Sequence, residues 1–253
     1  MSSWPPLNGD IELATATALA TGVRPEPHAR ISRSNYLLWW AVERNDLTGA
    51  SLILHHPEFD VNFVDYRGAT PLVHAAAKGP AEGGHQRMVE LLLAHCDTQA
   101  DSRNLFNATP LAVAAESGHV EIVDLLVRRE DVDADSRDNG GRSPLARAAA
   151  IGHEATVRVL LSRPDVAVNS RDEDGYTPLA WAALRGHRMV VEALMERPDL
   201  EWDVRADDGW RPAELALDGG HNDVAQVLGF TFDAETDDEP QMNRGRARWN
   251  MHN

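Results

Sequence analysis

The sequence predicts an all-α solenoid of stacked helix-turn-helix units joined by short hairpin-like turns. Three observations predict it. A Gly-His dipeptide recurs at Gly118-His119, Gly152-His153, Gly186-His187 and Gly220-His221, in steps of 34, and Gly84-His85 lies 34 residues ahead of them. A second frame, Thr109-Pro110-Leu111, Ser143-Pro144-Leu145 and Thr177-Pro178-Leu179, keeps the same step of 34, with Arg211-Pro212-Ala213 as a weaker copy. Apolar residues then follow each Gly-His at helical spacing. Such a period means that one supersecondary unit is stacked on copies of itself. Thr70-Pro71-Leu72 stands 39 residues ahead of the next copy, and the five extra residues fall at about 80–84, between the two helices of that unit.

Each unit has a physical reading. Proline suits the first turn of a helix, where no N–H is needed, and the hydroxyl before it is an N-cap. The short helix that follows carries a small apolar face, Ala114-Ala115, Ala148-Ala149 or Ala182-Ala183, which lets neighbouring helices approach closely. Glycine ends it, because it tolerates the left-handed cap. A second helix carries Ile122, Val123, Leu125 and Leu126; then Val157, Val159, Leu160 and Leu161; then Val190, Val191, Leu194 and Met195, spacings that fit burial against both neighbours. Asp135 to Gly141 and Asn169 to Gly175 are rich in Asp, Asn and Gly, which marks a hairpin-like turn.

The segment Asp172 to His187 reads Asp-x-x-Gly-x-Thr-Pro-Leu-x-x-Ala-Ala-x-x-Gly-His and resembles the ankyrin repeat. It departs from that pattern after Leu179, where the family's usual histidine is replaced; Val73, Ala112, Ala146 and Ala180 hold this place in successive units. The resemblance runs from about Tyr36 to Phe230. The Pro-Asp-Val and Arg-Asp-x-x-Gly wording also resembles ankyrin arrays of filamentous fungi.

Terminal repeats are atypical because one face of each meets water. Tyr36 to Val42 aligns on the Thr70 unit, with Asn45 in place of the glycine and Trp39 and Trp40 sealing the stack. The expected organisation is a poorly ordered or degenerate segment at 1–33, an N-terminal capping repeat at 34–69, repeats at 70–108 (with the insert 80–84), 109–142, 143–176 and 177–210, a C-terminal capping repeat at 211–230, and a disordered tail at 231–253. The tail joins an acidic run, Asp233 to Glu239, to a small basic cluster, Arg244, Arg246 and Arg248.

Composition narrows the function. Net charge is −16, from 40 acids and 24 bases, which argues against direct nucleic-acid binding. Of those bases only Lys78 is lysine. Arginine suits planar pairing with carboxylates between repeats, although codon bias produces the same count. One cysteine, Cys96, excludes an internal disulfide framework and fits a reducing compartment. With no basic and apolar leader and no apolar run of membrane-spanning length, a soluble cytoplasmic or nuclear protein is expected.

No catalytic, cofactor or metal site is expected. The histidines at 85, 119, 153, 187 and 221 lie one repeat apart. Packed helices sit about 8–10 Å apart, too far for one zinc ion with bonds of about 2 Å. Hydrogen bonding at the inter-helix turn is the simpler role. His95 is expected to point away from Cys96 on a helix, leaving the thiol without the base a nucleophile needs. Phosphate-loop, dinucleotide and nucleophile-elbow motifs are absent, and Asp172-Glu173-Asp174-Gly175 lacks the rest of a calcium loop.

The resemblance implies a concave binding surface of turn tips and first helices. Carried over position by position, the tips are Tyr66, Arg67, Leu105, Phe106, Asn139, Glu173, Asp174, Asp207 and Asp208. The residues after the turn glycine are Arg142, Tyr176 and Trp210. The first helices supply Lys78, Glu116, Ser117, Ile151, Leu184, Arg185 and Asp218. Aromatic residues and arginine are the usual anchors of interfaces. Phe106 has two readings, a partner contact or a ring folded onto the enlarged repeat. The acidic tips imply a protein partner with a basic element. The expected function is a monomeric, non-catalytic scaffold or adaptor that binds protein, with no membrane or direct nucleic-acid contact. The alternative is an ankyrin-repeat transcription co-regulator, for example of a fungal biosynthetic gene cluster.

Overall fold

The computed structural model describes residues 33–55, 59–78 and 84–230. The segments expected at 1–33 (but for its last residue) and 231–253, and the insert up to 83, lie outside them. Among the described residues the chain forms helices and turns, with no strand. Six helix pairs follow in order: α1 (Arg33–Arg44) with α2 (Leu47–Leu54), α3 (Pro71–Lys78) with α4 (Gly84–Leu93), α5 (Pro110–Ser117) with α6 (Val120–Val127), α7 (Pro144–Ile151) with α8 (Glu154–Leu161), α9 (Pro178–Leu184) with α10 (Arg188–Met195), and α11 (Pro212–Asp218) with α12 (Asn222–Val227). Odd-numbered helices pack on odd, and even on even, so two helical rows run along the stack.

The start and stop signals act as their chemistry requires. Thr109, Ser143 and Thr177 sit in extended backbone, and their hydroxyls accept the amides of Ala112, Ala146 and Ala180 at 3.2–3.3 Å. Gly118 and Gly152 end their helices with φ of 75° and 93°. Asn45 holds the same place in the first unit with φ 55°, a conformation that asparagine tolerates better than most side chains.

Side chains of the two rows meet in one continuous core. Leu72, Leu111, Leu145 and Leu179 are buried at equivalent positions, and the paired alanines 75–76, 114–115, 148–149 and 182–183 are fully enclosed. Truncating one such leucine to alanine costs about 2–5 kcal/mol. The even-numbered helices add Met88, Leu92, Ile122, Leu126, Leu160 and Leu194.

At the N-terminal end, Trp39 packs edge-on to His74 with ring centroids 5.9 Å apart. Trp40 lies under the Arg44 guanidinium at 5.1 Å.

Polar contacts fix the rotation between units. Hydroxyl pairs Thr70–Ser102, Thr109–Ser136 and Ser143–Ser170 share hydrogen bonds of 2.9–3.0 Å, each tying the start of a repeat to the turn that leads into the next. On the opposite edge Arg163 grips Asp165 with both prongs, at 2.8 and 3.0 Å, and its Nη1 donates to the Val127 carbonyl of the preceding unit at 3.0 Å. Arg129 and Arg197 make the same two-pronged pairing with Asp131 and Asp199.

Candidate functional site

The turn tips form a backbone rail. Leu105 N donates to Arg67 O at 2.9 Å, Asn139 N to Phe106 O at 3.0 Å, Glu173 N to Gly140 O at 3.0 Å, and Asp207 N to Asp174 O at 3.1 Å. Each link joins one tip to the next. Within a tip, the first residue of the turn folds it: Asp65, Asn104, Asp138 and Asp172 each accept two backbone amides of their own turn at 2.8–3.1 Å. Arg137 adds a brace, donating to Gly141 O at 2.9 Å and to Arg171 O at 2.5 Å. Side chains on this rail are therefore held at fixed places.

The second carboxylate oxygen of each turn aspartate faces the first helix. His74 donates to Asp65 at 2.9 Å, Arg147 to Asp138 at 2.5 and 2.9 Å, and Trp181 to Asp172 at 2.8 Å. In every case the donor lies nine residues after the aspartate. Burial alone pushes the Asp138 carboxyl up, but the Arg142 amide and the Arg147 guanidinium outweigh it and hold it below its ordinary range. These corner bonds tie tip to helix and were not visible in the sequence, since histidine, arginine and tryptophan share no motif.

Most of the predicted contact residues do face solvent. Tyr66, Leu105 and Phe106 are 69%, 67% and 61% exposed. Arg67, Asn139, Glu173, Asp174, Asp207 and Asp208 are exposed on the same rail. On the first helices Lys78, Glu116, Ser117, Ile151, Arg185 and Asp218 are exposed, while Arg142, Leu184 and Trp210 are half-buried. Lys78 pairs with Glu43, Glu116 with Arg147, and Asp207 with Arg171. The Phe106 ring, which had a partner-contact and a folded-ring reading, is exposed.

Tyr176 corrects the expectation. It is only 4% exposed, so its ring presents no binding surface. The ring packs on Trp181 with centroids 5.2 Å apart, and the hydroxyl donates to Asp208 of the next tip at 2.5 Å. Burial, then the Asp208 carboxylate, push its phenol above the ordinary range.

The histidine ladder has a structural role. His119, His153 and His187 donate through Nε2 to the carbonyls of Ala77, Glu116 and Ala150 in the preceding unit, at 3.0–3.2 Å. His95, Cys96 and Asp97 depart from expectation. The helix α4 ends at Leu93, so the three lie on a turn and their ligand atoms come within 4.8 Å of one another. His95 Nδ1 already accepts the Asp97 amide at 3.3 Å, and three consecutive side chains on an open turn make a loose chelate rather than a preorganised site.

The family model for ankyrin repeats, in three copies, matches residues 81–172 and 164–238, more than half of the chain. The chain belongs to the ankyrin repeat family. No curated protein matches it significantly. Ankyrin repeats are generally protein-interaction modules and typically non-catalytic, and among the described residues of this ankyrin array no helix is long and apolar enough to cross a membrane.

Proposed function

We propose that this ankyrin protein is a non-catalytic scaffold or adaptor, acting as a monomer, that holds a protein partner on its rail of tips and first helices. One observation carries the reading: the rail changes character along its length. Tyr66, Leu105 and Phe106 expose large apolar surface on the N-terminal tips, whereas Glu173, Asp174, Asp207 and Asp208 make the C-terminal tips acidic. Contiguous exposed apolar surface marks an interaction site, and a carboxylate row selects a partner with a basic element.

The test immobilises the full chain and a Leu105→Ser, Phe106→Ser double variant, and identifies proteins retained from the source cell. Proteins held by the parent and lost from the variant support the reading. Identical retained sets on both overturn it.

A further inference from the structure

The geometry points to an anchor pocket for one aromatic side chain of a basic partner segment, at the corner between Asn104 and Val113. This deepens the proposal of a partner held on the rail and rests on it. In three other repeats the corner between tip and first helix is filled: His74 reaches Asp65, Arg147 reaches Asp138 and Trp181 reaches Asp172, all within 2.9 Å. In the repeat between the first two of these, the turn residue is Asn104 and the residue nine later is Val113. The Asn104 oxygen is consumed by the Phe106 and Ala108 amides at 2.9 and 3.0 Å, and valine carries no donor to reach it. The corner is left as a cleft of about 310 Å³.

The cleft has walls of two kinds. Val113, Ala108 and the exposed ring of Phe106 are its apolar lining. Its polar lining is Asn139 and Arg142 of the next repeat together with Glu116, Asp138 and Arg147, the last paired with both carboxylates. The Arg142 guanidinium contacts Asp138 at 3.3 Å through Nε. A flat ring inserted here has the Phe106 ring and the Arg142 guanidinium in the same lining, both groups that favour aromatic ligands.

Charge sets the rest of the occupant. Beyond the cleft toward the C-terminus the tips become Glu173, Asp174, Asp207 and Asp208, with Asp218 on the last first helix and Arg171, Arg185 and Arg205 as the cations among them. Asp207 pairs with Arg171, and Asp208 accepts from Tyr176. The acidic tips lie one and a half to two and a half repeats from the middle of the cleft, which the Asn104 and Asn139 tips line together. With neighbouring helices about 8–10 Å apart this is a path of roughly 12–25 Å, or about four to eight residues of extended chain. The occupant is therefore a protein segment with an aromatic residue, and arginines or lysines four to eight positions away.

The experiment selects a random 16-residue displayed-peptide library on the full chain, then measures the affinity of a selected peptide for the parent and two variants. Val113→His puts an imidazole at the place that His74 holds in the preceding repeat and fills the corner. Glu173→Gln with Asp174→Asn removes charge from the acidic tips. Circular dichroism confirms that each variant remains folded.

The expected result is enrichment of an aromatic residue with basic residues at the stated spacing. Val113→His should weaken binding about tenfold or more, and the charge variant should weaken it and flatten its salt dependence. If the selected peptide binds Val113→His as tightly as the parent but is lost from the charge variant, the corner is not the anchor and the inference falls, while protein binding on the rail stands. Selected sequences without the aromatic-to-basic spacing, including ones that reproduce the close spacing of Arg244 to Trp249, overturn it too. If no sequence is enriched, both fail.

Discussion

The imidazole of His153 covers the Cα of Gly118 in the preceding repeat, while its Nε2 donates to the Glu116 carbonyl at 3.0 Å. The same fit joins His187 to Gly152 and His221 to Gly186. A Cβ added to Gly118 would meet the His153 ring at 2.6 Å, and to Gly152 the His187 ring at 2.6 Å, closer than side chains pack. The recurring dipeptide thus holds one residue for each of two repeats: glycine ends its own first helix and makes room for the histidine that follows one unit later.

Gly152→Ala tests this fit. Its φ of 93° disfavours any side chain, and the new methyl would displace the His187 ring. A cost of about 2 kcal/mol or more is expected in urea unfolding. Gly209 also has positive φ, 88°, but a Cβ there meets nothing within 4 Å. Gly209→Ala should cost only the backbone strain, about 1 kcal/mol. Equal losses at the two positions would show that the histidine contact adds nothing.

A second ladder carries a flaw that a single atom corrects. Asn62 donates through Nδ2 to Asp97 O at 2.6 Å and accepts the Gln99 amide at 2.8 Å. Asn169 repeats this with Asp199 O at 2.7 Å and Glu201 N at 2.8 Å. Asp101 and Asp135 hold the same position in the two repeats between. Asp135 accepts from Ala167 N at 3.0 Å, but an ionised carboxylate has nothing to donate, and Asp101 Oδ1 is buried without a hydrogen-bond partner. Burial raises both carboxyls above their ordinary range, with a nearby Asp133 carboxylate adding to the effect.

The sign of the pH dependence follows. Because each folded-state pKa is raised, the native state favours the protonated acid. Any stability from that preference is fully present below the unfolded pKa and is lost as pH rises through the folded value. At neutral pH both sites carry the full penalty. Asp101→Asn and Asp135→Asn should therefore each stabilise the stack by about 1 kcal/mol at pH 7. The gain should shrink as pH falls through the raised folded-state pKa and be lost below the unfolded value. Thermal melts at pH 7 and pH 4 check this, and a gain independent of pH would refute the assignment.

What the sequence made legible was whatever a residue decides locally. Proline after a hydroxyl, glycine at positive φ and apolar spacing act within one unit, so period and helix boundaries followed directly, as did Asn45 standing for glycine. The exposure of Leu105 was legible for the same reason. Tyr176 was not, because its fate depends on Trp181 five residues on and on Asp208 in the next repeat. Nor was the open corner at Val113, which exists only by contrast with His74, Arg147 and Trp181 around it.

Arginine pairs on the array divide by what else the guanidinium touches. Arg163 binds Asp165 and also reaches the carbonyls of Val127, Arg129 and Val132 in the unit before it, at 3.0–3.4 Å. Arg188 makes one exposed pair with Glu192, four residues on along the same helix, at 2.8 Å. Arg163→Lys keeps the charge and loses the fork, and should cost about 1–2 kcal/mol. Arg188→Ala should cost no more than about 0.5 kcal/mol. Chemical denaturation of both variants decides whether lateral arginine clamps or surface ion pairs hold neighbouring repeats in register.

The aromatic residues of the tips divide in the same way, and that division makes the binding surface separable from the fold. Leu105 and Phe106 stand clear of the core, and their backbone groups, not their side chains, link the rail. Leu105→Ser and Phe106→Ser should leave stability within about 0.5 kcal/mol of the parent. Tyr176→Ala removes a buried ring and the donor to Asp208, and should cost about 3 kcal/mol or more. Tyr176→Phe keeps the ring and loses only the hydroxyl, for about 1 kcal/mol. Urea unfolding of the four variants gives the order directly. A large loss at Phe106 would mean that its ring supports the enlarged repeat, and would remove it from the surface offered to a partner.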